Sequence, residues 1–252
     1  MITSRKLEKF KNIKHGFFDR TGGKSSGIYK SLNCGFGSSD KKKNILKNIK
    51  IICKKIGCHR NKLVLLHQIH SSKIFFIKNN YNFKKKIKSD ASITQTKNVA
   101  LGILTADCVP VLIYDKKLKI ISAVHAGWKG AYKGIVTKVI NFFLKKGSSL
   151  KNLYAIVGPS ITGKNYEVKK KFKQKFIKKD KKSLKYFKID NSKLYFDLSQ
   201  YVYSQILQNK IKNIDMIKLD TFDIKNKFFS ARRALSLKQN DYGRNISIIM
   251  LN

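Results

Sequence analysis

Thr105-Ala106-Asp107-Cys108, then Val109-Pro110-Val111-Leu112-Ile113-Tyr114, Asp115-Lys116-Lys117-Leu118-Lys119, Ile120-Ile121-Ser122-Ala123-Val124 and His125-Ala126-Gly127-Trp128 form the stretch that decides the reading of this chain. Two short apolar runs around a polar turn have the pattern of a β-hairpin. With Lys116-Lys117 at the centre of the turn, Cys108 falls directly opposite His125. Opposed side chains share one face with Cβ atoms roughly 4.5–5.5 Å apart, near enough for a thiolate and an imidazole to grip one ion or exchange a proton. The inference depends on turn length, because a three-residue turn slips the register by one and sends the two side chains to opposite faces.

Outward from the hairpin, apolar runs predict strands at 63–69, 74–77, 99–104, 153–157 and 246–251. Helices are predicted at 43–56, at 131–146 with Gly147 as its stop, and at 198–210 with Asp197 as N-cap. The elements interleave irregularly, so the chain is neither a βαβ repeat nor all-β. With 252 residues, 42% of them hydrophobic, it is long enough for one large core, and no Pro/Ser-rich linker divides it. A single domain over 1–252 is expected. The charged first fifteen residues lack a signal-peptide core and no apolar run reaches membrane-span length, which predicts a cytoplasmic protein with no membrane partner. Cys34, Cys53, Cys58 and Cys108 are too few and too irregularly spaced for a disulfide framework.

Fifty-five Lys and Arg against 14 Asp and Glu give a formal charge of +41. Clustered basic residues bind polyanions by releasing counterions. Here lysines occupy nearly every loop and helix while Arg, Pro and Trp are scarce and Asn and Ile abundant, the pattern of a genome that favours A/T-rich codons. No specific nucleic-acid partner is therefore expected, and the dense lysine runs at 41–43, 84–86 and 169–182 are read as solvated faces. The same bias makes the rare residues informative. Arg20 precedes Thr21-Gly22-Gly23, the pair Arg232-Arg233 follows Phe228-Phe229-Ser230-Ala231, and Arg244 follows Asp241-Tyr242-Gly243. A guanidinium persists where a planar, two-pronged contact to phosphate or carboxylate is needed.

A metal held by Cys108 and His125 needs a third ligand. His67 and His70 lie in a predicted strand at a spacing that points them to opposite faces, so one at most can enter the site, with His15 and His59 as the other choices. Two nitrogens and one thiolate with an open fourth position suit zinc. Cys53, Cys58 and His59 match no usual zinc-finger spacing and are read as helix-end packing.

His15-Gly16-Phe17 through Arg20-Thr21-Gly22-Gly23, Ser31-Leu32-Asn33, Gln68-Ile69-His70, Thr105-Ala106-Asp107-Cys108, His125-Ala126-Gly127-Trp128-Lys129-Gly130, Gly158-Pro159-Ser160, Tyr166-Glu167-Val168 and Phe229-Ser230-Ala231-Arg232-Arg233 occur in that order. Together they resemble the successive motifs of the laccase-domain, YfiH-type family. The resemblance implies an α/β fold of the α+β type, a single YfiH-like domain of mixed β-sheets with outer helices. It implies a zinc-dependent purine nucleoside phosphorylase, with copper as the alternative metal, that cleaves adenosine, inosine or guanosine, and by extension methylthioadenosine, with phosphate to ribose 1-phosphate and free base. An adenosine deaminase side activity is implied as well.

Carried over by motif, the metal set is His70, Cys108 and His125. Arg232, with Arg20 or Arg233, is the expected phosphate clamp, Asn33 a further substrate-binding candidate, and the backbone amides of 126–130 a supplement. Lys129 stands where the family usually has arginine, Asn165 where a cysteine often precedes the tyrosine, and 234–240 is longer than usual. The expected partners are purine nucleosides and phosphate, and the expected state is a monomer. The competing readings are a copper polyphenol oxidase, a metal-free hydrolase with Cys108 as nucleophile and His125 as base, and a non-enzymatic metal or nucleic-acid binder.

Overall fold

Along Val109–Asp115 (β6) every side chain is buried, yet alternate ones enter different cores. Val109, Val111 and Ile113 join one apolar layer and Leu112 and Tyr114 another, as the pleat of a strand buried on both faces requires. The hairpin is thus an inner layer of a stack. In this computed structural model, which describes residues 1–79, 81–82 and 87–252, two sheets lie face to face and helices cover both outer surfaces.

The six-stranded sheet has the order Asn213–Met216 (β11), Leu153–Val157 (β8), β6, Ile120–Ala126 (β7), Ala91–Thr94 (β4) and Ile74–Ile77 (β3). The four-stranded sheet runs Ile13–Phe18 (β1), Asn245–Leu251 (β12), Ala100–Thr105 (β5) and Leu63–Leu65 (β2). Phe187–Asp190 (β9) and Lys193–Phe196 (β10) form a separate hairpin. Parallel pairs (β2 with β5, β3 with β4, β8 with β11) sit among antiparallel ones, so the sheets are mixed.

One apolar layer lies between the sheets, where Leu112, Tyr114 and Ile156 meet Phe17, Leu101, Ile103 and Ile249. A second joins the outer face of the four-stranded sheet, through Ile246, Ile248 and Met250, to Ile45, Ile49, Ile52 and Ile56 of Lys42–Ile56 (α2). The third lies between the six-stranded sheet and Trp128–Tyr132 (α3), Ile135–Lys145 (α4), Lys170–Lys179 (α5) and Leu198–Gln208 (α6). Arg5–Glu8 (α1) and Ala231–Ser236 (α7) are short. Each fully buried aliphatic side chain in these layers contributes about 1.5–3 kcal/mol relative to exposure. The α+β architecture with outer helices is as the sequence led us to expect.

Several elements differ from expectation, each for a local reason. The hairpin pairs Pro110, not Cys108, with His125, because its turn takes four residues: Asp115 Oδ1 accepts the Lys117 and Leu118 amides, and Lys119, at φ 54°, donates back to the Asp115 carbonyl. The slip is two residues, an even number, so Cys108 and His125 keep a common face. The helix expected at 131–146 is two helices, broken at Lys133-Gly134, where Gly134 takes φ 72° and caps α4. The strand expected over 63–69 stops at Leu65, and the chain turns at His70 with φ 56°. The lysine-rich run 169–182 is not merely a solvated face: α5 carries Phe172 and Phe176 into an aromatic cluster with Phe187, Phe196 and Tyr201. The run 84–86 lies outside the described residues. Strands β1, β4, β9, β10 and β11 are short or lack a continuous apolar run. No described helix is long and apolar enough to cross a membrane.

Candidate active site and metal group

Cys108 sits one residue before β6, in a loop bent by the left-handed backbone of Asp107 (φ 85°), and His125 points from the neighbouring strand. The third member arrives from the turn after β2. Ligand atoms of His70, Cys108 and His125 all lie within 4.8 Å of one another, with Cys108 Sγ 3.9 Å from His70 Nε2. His70 is exposed, Cys108 half-buried and His125 buried. Among the described residues this is the group able to hold a metal ion. Of the alternative third ligands, His15 is buried and accepts the Ser4 N–H at Nε2 (2.8 Å), His59 is exposed beside α2, and His67 is exposed beside its bridge to Lys88. Cys53 and Cys58 hydrogen-bond each other at the end of α2 and stand apart from the group, as helix-end packing predicts.

Asp90, absent from the sequence reading, organises the group. Its fully buried carboxylate accepts His125 Nδ1–H at 2.8 Å, which leaves Nε2 for the site, and also the backbone N–H groups of His70 (3.0 Å) and Ser71 (2.6 Å) and the Ser71 hydroxyl (2.6 Å). One carboxylate thus orients one ligand ring and holds the strained turn that carries another. Burial opposes its ionisation, but His125 and Ser71 outweigh burial and bring its pKa down to about 2. Burial likewise opposes charge on the other two groups. The Cys108 thiol is nonetheless lowered to about 7 by His125 and His70, and His125 is raised to about 9 by Cys108 and Asp90. Without a metal the two groups therefore favour a thiolate beside an imidazolium, and a metal would take the thiolate and displace the proton of His125. A Cβ on Gly127 would meet His70 Cδ2 at 2.9 Å and Cys108 Sγ at 3.0 Å, so glycine there lets the ligands close together. Two imidazoles, a thiolate-prone cysteine and a carboxylate behind one imidazole fit a metal such as zinc.

The group opens on a cavity of about 360 Å³ whose walls include Asp107, Tyr166, Leu198, Arg232, Leu235 and Tyr242. Arg232 is held on three sides. Its backbone N–H donates to Asp107 Oδ2 (2.6 Å), its Nη1 donates to the Glu167 carbonyl (2.8 Å), and its guanidinium lies 5.2 Å from the Tyr166 ring centre. Asp107 also accepts the Thr221 hydroxyl (2.7 Å) and so ties the cysteine loop to the Thr221 segment as well as, through the Arg232 amide, to α7. Burial raises the Tyr166 phenol, keeping it a hydrogen-bond donor, and among the described residues its hydroxyl has no protein partner. The pairing that keeps Arg232 and Tyr166 together is invisible in a spacing of 66 residues. Asp90 and Asp107 carry one usable signal: acids are scarce here, 14 in 252 residues against 55 Lys and Arg, and scarcity is what marks the arginines.

The other expected anion and substrate contacts are not in this cavity. Asn33 is fully buried and spent on structure: Oδ1 accepts the Gly35 and Arg244 amides, and Nδ2 donates to Ser38 and Asp40. It does not line the cavity at the metal group. Arg20 and Arg233 line a second cleft on the other face of α7, so they do not share a clamp with Arg232. Lys129 is exposed with its ammonium 5.7 Å from the Trp128 ring and is not part of the cavity wall.

Fold and site together define an α+β protein with a His, Cys, His group beside a ligand-sized cavity. The chain belongs to the family described as multi-copper polyphenol oxidoreductase laccase, whose pattern matches residues 14–252. It is 31% identical to a purine nucleoside phosphorylase of Rickettsia prowazekii over 230 residues, covering 90% of this chain and 92% of the relative. It is 32% identical to a purine nucleoside phosphorylase of Bacteroides thetaiotaomicron, covering 100% of this chain and 96% of the relative. The crystal structure of Bacillus licheniformis hypothetical protein YfiH superposes with a TM-score of 0.88 at 25% identity, over 98% of this chain and 94% of that one. The family resemblance read from the motifs is thereby borne out.

Proposed function

We propose that this chain is a zinc-dependent purine nucleoside phosphorylase whose nucleoside binds in the cavity beside His70, Cys108 and His125. The observation that carries the reading is one cavity with His70 and Cys108 of the three-residue metal group on one wall and a rigidly held guanidinium, Arg232, on another. The names of the relatives support the reaction class. Bound to the three side chains, zinc supplies a Lewis acid that polarises a substrate atom or acidifies a water.

The chain's own residues do the rest. Arg232 offers the remaining edge of its guanidinium to phosphate and, being fixed by Asp107 and Glu167, orients it against the anomeric carbon with little loss of freedom. The Tyr166 hydroxyl is a free donor for the purine or ribose, and Leu198, Leu235 and Ile161 supply apolar wall. Asp90 keeps His125 in the tautomer that turns Nε2 to the site. The substrates are adenosine, inosine or guanosine, and phosphate-independent deamination of adenosine would use the same metal group without Arg232.

A second reading has support in one distance. Cys108, His125 and Asp90 stand in the order of a thiol hydrolase triad, with His125 Nδ1 2.8 Å from Asp90. Copper chemistry of the multi-ion kind is less well supported, since the chain has five histidines and the described residues hold one ligand group.

The test is elemental analysis combined with product analysis. Wild type is expected to hold about one zinc per chain and to convert adenosine to adenine only when phosphate is present. Cys108→Ser is expected to lose both metal and turnover. Full activity in metal-stripped protein would favour the hydrolase reading, and copper in place of zinc would favour oxidase chemistry.

A further inference from the structure

The second cleft, about 310 Å³, is lined by a different face of α7 from the one that faces the metal group, and the two share Tyr242. Its charged lining consists of Arg20 and Arg233, and among the described residues no carboxylate lines it and neither guanidinium is in an ion pair. Both are half-buried. Arg233 donates to the carbonyls of Thr221 and Phe222 at 2.7 Å and to that of Phe228, which fixes its position without neutralising its charge. Asp107, Asp220 and Asp223 act on it only from outside hydrogen-bond contact. Arg20 donates through Nε to the Lys30 carbonyl and rests 4.8 Å from the Phe229 ring centre, and its two terminal amino groups have no protein partner among the described residues.

Two guanidiniums brought together in a half-desolvated cleft repel each other, and burial and Arg233 both act to lower the pKa of Arg20. An anion with two or more charged oxygens relieves that repulsion, and guanidinium forks match phosphate geometry. The remaining lining mixes polar Ser230, Gln239 and Tyr242 with an apolar part, Phe229 under Arg20 and Ile28, Ile224 and Leu237 at the rim, with Ile224 64% and Leu237 60% exposed. A cleft of this volume falls at the lower end of those that take small organic ligands and has room beyond a bare phosphate ion.

We infer that this cleft is a binding site for a phosphate monoester carrying a planar or apolar body, of nucleoside monophosphate size, separate from the cavity at the metal group. The phosphate sits on Arg20 and Arg233 and the body lies against Phe229 and the rim. Occupancy bears on α7, the helix that presents Arg232 to the other cavity from its opposite face.

The test uses AMP titrated calorimetrically into the Cys108→Ser protein, which removes the metal group, and the two further substitutions, at Arg20 and Leu237, lie outside the first cavity and so distinguish this cleft from any AMP held by Arg232. One saturable site is expected. Arg20→Gln is expected to weaken it at least tenfold, and so is Leu237→Glu, which places a negative charge at the mouth on an exposed position and spares the fold. Arg20→Gln changes the net charge only from +41 to +40, so a loss of that size reports a local contact and not the general basic field. Adenosine in place of AMP should not bind there. Melting curves verify folding, and Leu237→Glu decides alone if Arg20→Gln does not fold. Absence of saturable AMP binding, or a loss smaller than threefold in either folded variant, overturns the proposal.

Discussion

A single buried carboxylate does two jobs at the metal group, and that makes Asp90 a sharper test of the site than a ligand substitution. Asp90→Asn keeps the shape but loses the charge and offers an amide N–H to donors that need an acceptor. Zinc affinity is expected to fall roughly 10- to 100-fold, read by competition with a chromophoric chelator. Unchanged affinity would confine Asp90 to holding the turn through His70 and Ser71. Because folding lowers the Asp90 pKa to about 2, its contribution to stability is complete above the ordinary carboxylate range and is lost as pH falls through about 2. Arg232→Lys retains charge but removes the two-pronged contact. Phosphorolysis should fall roughly 10- to 1,000-fold, about 1.4–4 kcal/mol of transition-state stabilisation, with zinc content and melting temperature little changed. Any deaminase activity should be spared, since it has no phosphate to orient. Equal loss of both reactions would make Arg232 a structural residue.

At the level of elements, β1 is pinned to the N-terminal segment by a neutral imidazole. His15 Nε2 accepts the Ser4 N–H, and Ser4 in turn donates its hydroxyl to Asp215 of β11, so the bond links the edges of both sheets. Burial lowers the His15 pKa, with Glu8 opposing weakly. The unfolded chain therefore takes up its proton first as pH falls. Stability contributed here is full above about 6.5 and drains away as pH falls toward the lowered folded value. His15→Gln keeps an acceptor at the same reach and does not titrate. In urea unfolding at pH 7.5 and 5.5, wild type should lose more stability than the variant, and equal losses would remove His15 from the acid response.

Over the whole molecule, the +41 charge is carried largely by exposed lysines spread over several elements, including both ends of α2 and the outer face of α5. Such a surface attracts polyanions without selecting among them. Binding to random oligonucleotides should be detectable at low salt and lost at moderate salt, while adenosine turnover needs no nucleic acid. Tight, sequence-dependent binding at physiological salt would show that part of this surface is a built interface.

The hairpin, five of the strands, α2, the Asp197 cap of α6 and the shared face of Cys108 and His125 are legible in the residues alone, because they rest on period-2 burial, helix caps and face parity. Those rules act over a few residues, so they survive without knowledge of the rest of the chain. Parity even absorbed the two-residue error in register. His70 was one choice among several until the motif resemblance selected it, since its left-handed turn is imposed by Asp90, 20 residues away. What only the tertiary structure decided was which distant side chains share a cavity. Asp90 behind the ligands, Asp107 and Tyr166 around Arg232, Asn33 locked in a buried knot, and Arg20 with Arg233 in their own cleft all follow from how two sheets stack and where α7 docks. Those placements are set by the packing of whole layers, and no local spacing in the sequence encodes them.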